Sequence, residues 1–148
     1  MHSYGATLLN NKTESEAVRY LLAAEPSLRV PSKEERKKIL MVLNLPKTFA
    51  RAFDLVQLPG DATDIFAVSP DKWRLIELKT TKKKLLANPI GFFFGATDNE
   101  FRLAKLLGDR YAFCFVSLHA ESPNRAFLTS SELESRIKTR RIQYQINL

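Results

Sequence analysis

Three side chains could do chemistry together if the chain brings them to one place: Asp64, Glu77 and Lys79. Between them, Ser69-Pro70-Asp71-Lys72 reads as a tight turn, because proline pre-sets the backbone and Ser and Asp favour turns. A turn there makes residues 64–79 a β-hairpin in which Val68 faces Trp73 and, counting back, Asp64 faces Glu77. Directly opposed residues on paired strands have Cβ atoms about 5 Å apart, and like charges so placed repel. A divalent cation relieves that repulsion. Glu77 and Lys79 are two apart and share a strand face, while Ile76 and Leu78 point to the other, apolar face. Such a set suits phosphodiester hydrolysis. Carboxylates hold Mg²⁺, which keeps several waters and takes phosphate oxygens as further ligands. The ion acidifies a bound water, and a neighbouring ammonium orients or deprotonates that water or neutralises developing charge. Asp54, Asp61 and Asp71 are rival acids; Asp61 follows Gly60 in a loop and Asp71 sits in the turn, so neither opposes Glu77. The plainer alternative is a solvated hairpin with a surface Glu–Lys pair.

The elements that must position these groups are marked in the sequence. Thr13-Glu14-Ser15-Glu16 is a capping-box pattern before Ala17, Tyr20, Leu21 and Ala24 at helical spacing, with Pro26 ending the helix. Ser32-Lys33-Glu34-Glu35 is a second, leading into Ile39, Leu40, Val42 and Leu43 and stopped by Pro46. Strands are predicted over 53–58, 64–68 and 73–79. A basic loop with Asn88-Pro89 and Gly91-Phe92-Phe93-Phe94-Gly95 follows. Thr97-Asp98-Asn99-Glu100 opens a third helix that Gly108 closes, and capping alone accounts for Asn99 and Glu100. Tyr111–Leu118 is nearly all apolar, as a strand covered on both faces is. A short helix is predicted over 131–138. Ile142, Tyr144, Ile146 and Leu148 alternate with polar residues, which predicts a half-buried strand at an edge or an oligomer contact. The fold class is α/β, a mixed sheet covered by helices.

The chain has 148 residues, which suits one domain, residues 1–148, with one core. Twenty-three Lys and Arg oppose sixteen Asp and Glu, a net charge of +7 and an isoelectric point near 9.7. A domain this basic commonly meets a polyanion, nucleic acid above all. The one cysteine, Cys114, excludes an internal disulfide and lies in an apolar run, so it reads as a buried thiol. His2 and His119 have no cysteine partners and do not suggest zinc. Neither a membrane-spanning stretch nor a secretory leader is visible, so an intracellular protein is the expectation. Lys82-Lys83-Lys84 directly follows the strand of Glu77 and Lys79 and is placed to grip phosphates, with Thr80 and Thr81 hydrogen-bonding the same backbone. Arg136, Lys138, Arg140 and Arg141 extend the basic character. Of the three phenylalanines, packing is favoured over a wedge between bases.

The set Thr63-Asp64-Ile65 with Ile76-Glu77-Leu78-Lys79 resembles the PD-(D/E)XK nuclease superfamily, with Thr63 where that family often has proline. Twelve residues separate the two acids, a spacing common in that family. The resemblance implies a restriction-endonuclease-like core of helix, three strands, helix and strand (αβββαβ), matched over about residues 32–118. It implies Mg²⁺, with Mn²⁺ able to substitute, held by Asp64, Glu77 and the Leu78 backbone carbonyl, and Lys79 beside the attacking water. Some members add an acid from the first core helix, for which Glu16 or Glu35 is the candidate. The expectation is a Mg²⁺-dependent DNA endonuclease acting as a homodimer or higher homo-oligomer, in restriction or defence, homing or DNA processing. A Holliday-junction-resolvase-like nuclease and a non-catalytic nucleic-acid-binding module with the same fold are the alternatives.

Overall fold

In the computed structural model, residues 4–121 and 123–148 are described, with side chains from residue 12 onward; His2 lies outside the described residues. Five strands form one mixed sheet in the spatial order β1 (Leu28–Arg29), β2 (Leu55–Gln57), β3 (Arg74–Thr81), β4 (Tyr111–Ser117) and β5 (Asn124–Leu128). β1, β2 and β3 pair antiparallel in turn, β3 and β4 pair parallel, and β5 returns antiparallel to β4. The parallel step needs a crossover, supplied by helix α3 (Asp98–Leu107). The other helices are α1 (Tyr4–Ala24), α2 (Lys33–Val42) and the short α4 (Ser130–Glu134).

Both sheet faces are covered, which is why every residue of β4 is buried. On one face, Ala17 and Leu21 of α1 pack over Leu55, Ile76, Leu78, Ala112, Cys114 and Val116. On the other, Ile39 and Leu40 of α2 and Leu103 and Ala104 of α3 cover Val56, Leu75, Tyr111, Phe113 and Phe115. The alternation along β3 therefore sends Ile76 and Leu78 toward α1, and Leu75, Glu77 and Lys79 toward the face that carries α3. No helix among the described residues is long and apolar enough to cross a membrane.

Sequence signals and elements agree where a cap or a long apolar run speaks. Ser32 caps α2 with the reciprocal Glu35 bond, Thr97 caps α3, and Gly108 closes α3 at φ +57°, a conformation costly for residues with a Cβ.

Three expectations need correction. Thr13-Glu14-Ser15-Glu16 lies inside α1 and opens no helix. Residues 64–68 are not a strand: Asp64 caps a 3-10 turn over Ile65–Ala67, accepting from the Phe66 amide at 3.0 Å. Ile65 is buried there, and the Trp73 indole donates to its carbonyl at 2.8 Å. The apolar run at 65–68 thus plugs the core as irregular chain. The antiparallel partner of β3 is β2, and the 64–79 hairpin does not form. The predicted C-terminal strand is also absent: residues 137–148 carry no regular structure, and Ile142, Tyr144 and Ile146 are about 80 % exposed. Conversely, the two-residue β1 and the partly polar β5 have no clear sequence signal.

Candidate active site

The β2–β3 register pairs Leu55 with Ile76, Val56 with Leu75 and Gln57 with Arg74. One step further along it, Asp54 stands beside Glu77. The regular ladder stops at this point. The Asp54 amide donates to the Ile76 carbonyl at 2.7 Å, and its Oδ2 accepts from the Leu78 amide at 2.8 Å. A side chain thus takes a strand-edge donor that another backbone carbonyl would otherwise occupy. The segment leading into it is fixed from behind. The Tyr111 hydroxyl donates to the Ala52 carbonyl at 2.5 Å, and the Arg36 guanidinium donates to the carbonyls of Ala50 and Phe53 while lying over the Phe53 ring.

Glu77 is buried, and among the described residues its Oε1 has no hydrogen-bond donor. Its Oε2 lies 3.3 Å from the Lys79 ammonium. Burial, the Asp54 carboxyl and the Glu100 carboxyl push Glu77 well above the usual carboxylate range, and Lys79 only partly offsets them. Two carboxyls so placed are eased by a proton or by a cation. Burial lowers the Arg36 guanidinium from its ordinary value, while Asp54 and Glu77 act the other way, so part of their charge is felt through the back of the site.

Lys79 is held on three sides. Its Nζ donates to Glu100 Oε1 at 2.6 Å and to the Gly95 carbonyl at 2.7 Å, beside the Glu77 contact. Glu100 is buried on the first turn of α3, and its Oε2 accepts from Thr97 Oγ1 at 2.9 Å. The residue read from sequence as a helix cap therefore also fixes the lysine. The same face is walled by Phe92 and Phe94, each 5.0 Å from the Phe115 ring.

These groups open onto a cleft of about 760 Å³ lined by Glu14, Asp54, Glu77, Leu78, Lys79, Thr80, Thr81, Lys82, Phe93 and Gly95, among others. Glu14 comes from α1. Burial and the Asp54 carboxyl raise it from its ordinary value, with Lys79 acting the other way.

The structure brings Glu77, Leu78, Lys79, Thr80, Thr81 and Lys82 to one cleft. Asp64 does not line it and is occupied as a cap. Of the accessory candidates, Glu35 is used in the α2 capping box, and Glu16 pairs with Lys82 at 4.0 Å on the surface. Lys83 and Lys84 lie outside the lining, Lys84 paired with Glu121 at 3.1 Å. Asp54 stands beside Glu77 where Asp64 was expected, and Glu14, not Glu16 or Glu35, lines the cleft. A signal for Asp54 exists, since it opens the apolar run 53–58. Glu14 is two residues from Glu16, and its place depends on the rotation of α1 about its axis.

Among the described residues no group of three or more His, Cys, Asp or Glu side chains is placed to hold a metal ion. Mg²⁺ does not require such a group, since it is commonly held by one or two carboxylates, with water and phosphate completing the shell. The residues present fit such an ion: two adjacent carboxyls and a buried carboxylate oxygen lacking a donor. Comparison with family models, with curated proteins and with solved structures finds no match to the chain.

Proposed function

We propose that this chain is a metal-dependent nuclease that hydrolyses phosphodiester bonds in DNA, with Asp54, Glu77 and Lys79 as its working residues. One observation carries the reading: Asp54 and the buried Glu77, whose Oε1 lacks a donor, stand beside each other at the edge of β2 and β3, with the Lys79 ammonium 3.3 Å from Glu77 Oε2, at the wall of an open cleft. The PD-(D/E)XK resemblance supports it once Asp54 replaces Asp64. The element order supports it too, since α1, β1, β2, β3, α3 and β4 follow the helix, three strands, helix, strand sequence, with α2 inserted after β1.

Asp54 and Glu77 would hold Mg²⁺ or Mn²⁺, with the Leu78 carbonyl as a further ligand. When bound, the ion acidifies a water and balances charge on the phosphate. Lys79 is fixed by Glu100 and Gly95 so that its ammonium stays near the carboxyls. From there it orients the attacking water or meets charge on the phosphate oxygens. Glu14 faces the same cleft and would serve as the accessory acid. Thr80, Thr81 and Lys82 line the path of the phosphodiester backbone. Cutting both strands of a duplex calls for two such clefts, so a homodimer is the proposed assembly.

A plasmid-nicking assay with Mg²⁺ tests this. Asp54→Ala, Glu77→Ala and Lys79→Ala are each expected to reduce nicking about a hundredfold or more while DNA is still retained. Asp64→Ala is expected to nick like wild type. Loss of activity in Asp64→Ala with Asp54→Ala unaffected would reverse the assignment, and unchanged activity in all four would end the nuclease reading.

A further inference from the structure

Phe93 is 92 % exposed, although the residues on both sides of it are fixed. Phe92 and Phe94 each rest on the Phe115 ring at 5.0 Å and on one another at 6.1 Å. A residue between two so anchored is turned outward, and burial alternates accordingly through 92–94. An exposed phenylalanine alone means little. This one lines the same cleft as Asp54, Glu77, Lys79, Thr80 and Lys82. A ligand that fits this edge of the cleft offers an anion to Lys82 and Thr80 and a flat apolar face to the ring. A nucleotide has both. In a duplex, each base face is already covered by its neighbours. In a single strand it is open, and every base can stack on an aromatic ring whatever its identity.

We propose that Phe93 is a base-stacking platform beside the cleft and that its ligand is a single-stranded stretch of DNA, including one opened within the duplex being cut. This deepens the nuclease reading and rests on it for the nature of the polyanion. Phe94, by contrast, is committed to the wall, with the Lys79 ammonium 6.0 Å from its ring centroid. Among the described residues Phe93 has no ring partner to lose, so its removal should leave folding intact.

The test uses the full chain in EDTA, so that no cleavage occurs, and a short single-stranded DNA oligonucleotide carrying a fluorescent adenine analogue that dims on stacking. Phe93→Ala is expected to weaken single-strand binding by about five- to a hundredfold, the range of one missing base–ring stack, and to abolish the dimming. Phe93→Leu should behave like Phe93→Ala, because it keeps apolar bulk without a π face. Phe93→Trp should bind as wild type or tighter. Duplex binding should not change in any of them. Unchanged single-strand binding in Phe93→Ala, or equal losses on single strand and duplex, overturns the proposal. So does a shift in sedimentation of Phe93→Ala with DNA binding unaltered, which would assign the ring to a protein interface. Dimming without any Mg²⁺-dependent nicking retires the nuclease and leaves the platform. Nicking with Phe93→Ala indistinguishable from wild type in single-strand binding does the reverse.

Discussion

Glu77 is the side chain whose protonation decides the state of the site. Its carboxyl is raised from an ordinary value of 4.5 by burial first and by Asp54 next. Without an ion, the folded protein therefore holds this proton at pH values where the unfolded chain has released it. The resulting stability is fully present below about 4.5 and falls as pH rises toward the folded-state value. Glu77→Gln is expected to flatten that decline in pH-dependent unfolding. A divalent ion must displace the same proton, so its affinity should rise with pH through the neutral range, by up to about tenfold per unit. Isothermal titration at two pH values in buffers of different ionisation enthalpy measures the proton released; zero release would show that Glu77 is already ionised. At this scale the sequence is half legible. The E-x-K spacing on one strand face places Glu77 and Lys79 together. The opposing acid is Asp54 and not Asp64 because the chain from Leu58 to Trp73 is a long, core-plugging connection, whereas Pro70 suggests a tight hairpin.

Helix α3 delivers the lysine's partner, and its first turn links the cap to the order of the site. The Thr97 hydroxyl accepts from the Glu100 amide and donates to the Glu100 carboxylate. Thr97→Ala should therefore cost about 1 kcal/mol of stability, as removal of a cap does, and also loosen Glu100 against Lys79. Thermal unfolding reads the first effect and the pH profile of nicking the second. A stability loss with an unaltered profile would confine Thr97 to capping. Elements with strong local punctuation are legible: the Ser32 and Thr97 caps, the Gly108 stop, and the apolar run of β4. The 13–16 capping-box pattern misleads because Thr and Glu inside a longer helix look the same as at its start. β1 escapes a sequence reading because two residues carry no periodicity, and its place is set by pairing with β2. The alternating 142–148 segment has a strand's pattern without a strand's partner.

Across the whole molecule, charge is uneven in a useful way. The chain carries +7 overall, yet the cleft concentrates Glu14, Asp54 and Glu77 against Lys79 and Lys82. A net positive chain attracts a polyanion at long range, and the acids gathered in the cleft would give a cation a place beside its phosphates. The double change Lys82→Ala with Lys83→Ala is expected to lower the salt dependence of DNA binding by roughly one unit of log–log slope for each phosphate no longer neutralised. Binding measured across a series of salt concentrations checks this; an unchanged slope would make that loop a bystander. A polyanion as the partner class is an inference from composition alone. Where on the surface the charge gathers is not legible there, because Lys82 and Lys84 are partly engaged by Glu16 and Glu121 from distant parts of the chain.

The fastening of Asp54 to the Leu78 amide has a thermodynamic corollary. The two carboxyls meet only when β2 lies against β3, so a site in which both would hold an ion has no counterpart on the denatured chain. Mass action then makes melting temperature a gauge of occupancy. At a hundredfold excess over its dissociation constant the ion adds about 2.7 kcal/mol, roughly 5–10 °C for a chain of this length, and Asp54→Ala should melt at the same temperature with or without Mg²⁺.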